Sequence, residues 1–181
     1  MTILPVIVRE VREQARQNFT FSLRMLGVAA VLAACLWSVL HRGLLPGSGS
    51  QIFAWIHTAL LFAIWLLVPL SASDCLSREG REGTLGLLLL TPLSARDIVF
   101  AKGAAHGLRA LTLWLASLPV VAIPFLIGGL TWQILALSCV FNFSSIGLAL
   151  GASLLASSIC RMRHRALALT MLIGFILASV Y

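Results

Sequence analysis

Apolar residues run through this chain in blocks too long for a water-facing element, and the polar positions fall mainly between the blocks. The blocks cover residues 21–40, 52–72, 108–127, 131–159 and 166–181. An α-helix rises about 1.5 Å per residue, so roughly 20 apolar residues cross the hydrocarbon layer of a bilayer. The pattern therefore predicts an all-α, polytopic transmembrane helical bundle of about five spans, the last one short. His41, Arg42 and Pro46 to Ser50 punctuate the first two spans, and Gly128-Gly129 ends the third, in which Pro119 and Pro124 predict a kink. Before the first block the period changes. Leu4, Ile7, Val8, Val11, Ala15 and Phe19 recur at helical spacing with Arg9, Glu10, Arg12, Glu13 and Arg16 between them. Residues 4–19 are thus expected to form an amphipathic helix lying in the interface plane rather than crossing it.

The long polar stretch, residues 73–107, separates the second span from the third. Inside it Thr84 to Leu90 is apolar enough for two helical turns, too short to span, and stopped by Pro92. Leu85, Leu88 and Leu89 share one face of those turns, and a short apolar helix in water needs a groove to cover it. Ser94 and Asp97 have capping-box spacing, opening a helix that runs into the third span.

Composition removes the alternatives to a membrane domain. With 60% hydrophobic and only 10% charged residues the chain has no means of covering itself for water, and the same figures exclude a disordered polymer. The formal charge of +7 could point to nucleic acid, but topology accounts for it. All of the 13 Lys and Arg residues except Arg42 fall in the N-terminal segment, the 73–107 stretch with its flank, or the turn before the last span. Those three segments lie on one side of a five-span path. The positive-inside bias makes that side the cytoplasm and the N-terminus cytoplasmic, with no nucleic-acid partner.

The stretch Arg78-Glu79, Arg81-Glu82-Gly83-Thr84-Leu85, the leucines to Leu90, Thr91-Pro92-Leu93-Ser94-Ala95-Arg96 and Lys102-Gly103 resembles the membrane subunits of ABC-2 type exporters, in the ATP-binding cassette superfamily. The similarity covers residues 4 to about 105, and the later spans by hydropathy alone. It is nearest in character to the multicopper-enzyme-maturation and gliding-type branch. The resemblance implies a permease subunit of a bacterial inner membrane, working as a dimer with a second permease copy or a homologous permease. It implies a coupling helix contacting a cytoplasmic ABC ATPase subunit through Glu79, Glu82, Gly83, Thr84, Leu85, Leu88, Leu89, Thr91 and Pro92. Members of the family usually have six spans, so the chain is expected to lack the last one.

Other motifs are weaker. Gly80, Gly83 and Gly86 recur every third residue, but no G-x-x-x-x-G-K-S/T phosphate loop occurs, so ATP hydrolysis is expected in a separate subunit. Gly147 and Gly151 form a G-x-x-x-G pair, expected to pack helices closely. Gly151-Ala152-Ser153 resembles the serine motif of rhomboid-type intramembrane proteases, yet His57 and His164 fall at other depths. Asn142, the amide in the middle of a span, is a candidate pathway residue or an interhelical hydrogen-bond former. The four histidines have no metal spacing, and no cofactor is expected. The leading expectation is an exporter permease subunit. A non-transporting membrane anchor or assembly module is the alternative, and an intramembrane protease the third.

Overall fold

The computed structural model describes residues 12, 18–43, 47–73, 75, 95–160 and 162–179. They form five helices and no strand: α1 (Asn18–Arg42), α2 (Gly49–Ala72), α3 (Ala95–Ile127), α4 (Trp132–Ile159) and α5 (Arg163–Ser179). Four of them, α1 to α4, are long and apolar enough to cross a membrane. The fifth, α5, has 17 residues, about 25 Å of helix, and falls short of that length among the described residues. Most of the expected interfacial helix, and residues 74 and 76–94 of the 73–107 stretch, lie outside the described residues.

The all-helical fold follows from the solvent that the sequence demands. In lipid each backbone N–H and C=O must be satisfied within its own segment, and a helix does this alone. The helix that the Ser94 and Asp97 spacing leads one to expect, running into the third span, is α3, with 33 residues or about 50 Å. Its first three turns, residues 95–107, belong to the same helix as the span from Leu108, where the sequence places the end of a polar stretch. The helix is continuous through Pro119 and Pro124.

The helices run up and down. The Gly49 N–H donates to the Gly128 carbonyl over 3.1 Å, which brings the α1–α2 and α3–α4 turns together at one end. At the opposite end the Arg163 guanidinium, where α5 starts, donates to the Leu70 carbonyl near the end of α2. Arg24, Arg96, Lys102, Arg163 and Arg165 therefore lie towards this second end, whereas Arg42 lies at the first.

At the centre is α2, in contact with each of the other four helices. Ile52, Ile56, Leu60 and Ile64 recur every fourth residue along it and are all but inaccessible. That stripe, with Val31, Cys35, Val121, Ile146 and Ala149, makes the main core. Large apolar side chains also point outwards, among them Phe62, Leu126, Leu137 and Phe175, as lipid-facing positions do. Exposed Trp37, Trp55 and Trp132 all fall near the end that carries the two glycine turns, the placement of an interfacial aromatic belt.

Candidate functional site

The inward face of α4 is built from small and polar residues: Ser138, Asn142, Ser145, Ala149, Ala152, Ser153, Ala156 and Ser157 are buried. Small side chains let helix axes approach closely, and α4 lies against α2, α3 and α5. Serine hydroxyls on such a face are satisfied within the helix, as Ser153 is by the Ala149 carbonyl.

Asn142 sits on this face and is 3% exposed. Its amide Nδ2 donates to the Ser138 hydroxyl over 3.4 Å, a long bond one turn away, and its Oδ1 is buried without a hydrogen-bond partner. From α2, the His57 ring lies 5.7 Å from Phe53 and 6.0 Å from Phe141, the residue before Asn142, so His57 and Asn142 occupy the same level of the α2–α4 seam. His57 Nε2 is likewise buried without a hydrogen-bond partner. An interhelical bond from Asn142 is not what the structure has; its one bond is within α4.

This seam gives a test. Asn142→Leu removes one long hydrogen bond and one unsatisfied acceptor while keeping the volume, so the thermal midpoint should stay within about 1 kcal/mol equivalent of the parent protein. If Asn142 serves a pathway, transport should fall while that midpoint holds, measured on the same preparation in detergent and in vesicles.

The glycine pair is placed differently from the expectation of close packing. Gly147 and Gly151 are exposed on the outer face of α4, and no described heavy atom lies within 4 Å of the Cβ that either would carry. Within the chain the close contacts of α4 are made by the Ala149, Ala152, Ser153 and Ala156 face, half a turn round the helix. Glycines that do admit a neighbour lie elsewhere: Gly174 of α5 against the Trp65 ring, and Gly27 of α1 against Leu67 and Leu113.

The serine and histidine of the protease reading are apart. His57 meets Phe141, twelve residues or about 18 Å along α4 from Ser153. Among the described residues no group of three His, Cys, Asp or Glu could hold a metal ion. Glu79, Glu82, Gly83, Thr84, Leu85, Leu88, Leu89, Thr91 and Pro92 lie outside the described residues.

One feature of α3 emerges only in three dimensions. Lys102, His106 and Arg109 follow one another at four- and three-residue steps and are buried. Leu113, the next position on that stripe, packs beside Gly27 of α1 and Leu67 of α2. One turn below Gly27 on α1 is Arg24, which the Gly27–Leu113 contact sets at about the level of Arg109. The basic residues are visible individually in the sequence; the spacing 102, 106, 109, 113 was the available signal that they share a face.

No family model, no curated protein and no solved structure matches the chain.

Proposed function

We propose that this chain is the membrane-spanning permease subunit of an ABC-2 type exporter, coupling ATP hydrolysis by a separate cytoplasmic subunit to translocation of a substrate. The observation that carries the reading is the motif stretch from Arg78 to Gly103, interposed between two helices that are long and apolar enough to span. Its position is mechanically apt. The loop joins α2, the helix in contact with all the others, to α3, whose first 13 or so residues exceed what the hydrocarbon layer needs. A force applied to the loop would reach the whole bundle through those two helices.

The filled apolar seam of α2 favours a pathway shared between two permease copies over one through a single chain. Ile52, Ile56, Leu60 and Ile64 fill the buried stripe of α2 with apolar side chains. Exposed Gly147 and Gly151 offer a face on which a second copy can approach closely. In this reading the cytoplasmic side is the end bearing Arg24, Lys102 and Arg163, by the positive-inside bias.

The deciding experiment is purification of the tagged full chain from its native membrane in mild detergent. A P-loop ATPase is expected with it in stoichiometric amount, with hydrolysis in the complex and none in the chain alone. Recovery without such a subunit would favour the anchor reading. Orientation is checked separately in intact cells with an impermeant thiol reagent on single-cysteine variants. Ser48→Cys is expected to label from outside and Ser94→Cys to be protected until the membrane is opened; the reverse would invert the topology.

A further inference from the structure

We propose that the junction of α1 and α3 cradles the phosphate of an anionic phospholipid, held by Arg24, Lys102, His106 and Arg109. Three of these side chains are more than nine-tenths buried, Lys102 at 8%, His106 at 6% and Arg109 at 9% exposure. They form a single stripe on α3, and Arg24 faces it from α1 one turn beyond the Gly27–Leu113 contact. The Nε of Arg24 is itself buried without a hydrogen-bond partner.

The depth of the cluster suits a headgroup rather than a soluble ion. Counting 20 residues back from Ile127, the apolar end of α3, brings the edge of the hydrocarbon layer to about Leu108. Arg109 stands at that edge, His106 one turn outside it and Lys102 one turn further. Arg24 lies six residues, about 9 Å, inside the start of α1, so its head reaches the same level. Basic groups set between helices at this depth on the cytoplasmic side match the position of phospholipid phosphates. The paired N–H groups of a guanidinium fit two phosphate oxygens, and an ammonium adds a point charge. Lys102 and Arg109 on one stripe of α3, with Arg24 facing it from α1, concentrate cationic charge at the junction, which favours an anion over a zwitterion of the same size. At the same end of the bundle Ser73, which follows α2, is fully buried and its hydroxyl has no hydrogen-bond partner. The inference rests on α1 and α3 crossing a membrane and is independent of the exporter reading. Lipid selectivity can fail while an ATPase still co-purifies, and the reverse.

The test uses the purified full chain, delipidated in a neutral detergent and titrated with phosphatidylglycerol, phosphatidylcholine or inorganic phosphate. Bound lipid is read by native mass spectrometry and stability by the thermal midpoint. Phosphatidylglycerol should bind in preference to phosphatidylcholine and raise the midpoint, while inorganic phosphate at the same concentration leaves it unmoved. Each of Arg24→Gln and Lys102→Gln should weaken phosphatidylglycerol about fivefold. Lys102→Arg should retain it, which separates loss of charge from loss of fold. Equal binding of the two lipids, equal stabilisation by inorganic phosphate, or undiminished phosphatidylglycerol affinity in both glutamine variants would overturn the proposal.

Discussion

Gly49→Ala is expected to destabilise the bundle by about 3 kcal/mol, at the upper end of overpacking costs, lowering the thermal midpoint in detergent by roughly 6–12 °C. A Cβ at this position would run into the carbonyl oxygens of Pro124 and Gly128. Those are main-chain atoms of the α3 end and the α3–α4 turn, so no side-chain rotation relieves the clash. The Gly49 N–H also donates to the Gly128 carbonyl, and displacing the backbone would lengthen that bond. Gly129 meets the Gly47 carbonyl in the same way and has a φ of 87°, a conformation that favours glycine. The two turns are therefore locked glycine against backbone, and α2, which starts at this lock, touches every other helix. Ser50→Ala, one residue further on an exposed position, supplies the control and should leave the midpoint unchanged. An unchanged midpoint in Gly49→Ala would mean that the two turns are not in contact.

Leu88→Asp is expected to abolish recovery of the ATPase with the tagged chain while membrane insertion stays normal. In the proposed exporter reading Leu85, Leu88 and Leu89 would be the apolar anchors of a segment between charged flanks. Burying each leucine is worth about 1.5–3 kcal/mol, so three can dominate a modest interface. A carboxylate in a desolvated groove loses that gain and adds the cost of an unpaired buried charge. Glu82→Ala should have a milder effect, because rim charges set orientation and association rate more than affinity. Wild-type recovery of the complex and wild-type transport-linked hydrolysis in Leu88→Asp would exclude this stretch as the coupling site. Normal insertion is checked on the same membranes by the labelling of Ser48→Cys.

Hydrophobic block length is a direct report of the solvent a segment needs, which is why the all-helical class and the rough extent of the long helices were legible from residues alone. The blocks at 21–40, 52–72 and 131–159 return as α1, α2 and α4 within a few residues. The end of the bundle at which each described basic residue lies was also readable, since alternation along the chain assigns ends without any coordinates. What could not be read was which face of each helix points inwards. In water the apolar stripe marks the core, but in lipid both faces are apolar, and the inward face of α4 is, if anything, the more polar one. Gly147 and Gly151 looked like the packing pair, and packing against α2, α3 and α5 turned α4 so that Ala149 and Ser153 face inwards instead. For the same reason the spacing of Lys102, His106 and Arg109 placed them on one face of a helix without telling whether that face is buried. Their burial as one stripe beside Arg24 depends on α1 packing against α3 at Gly27, a contact between residues some 80 positions apart that no local pattern encodes.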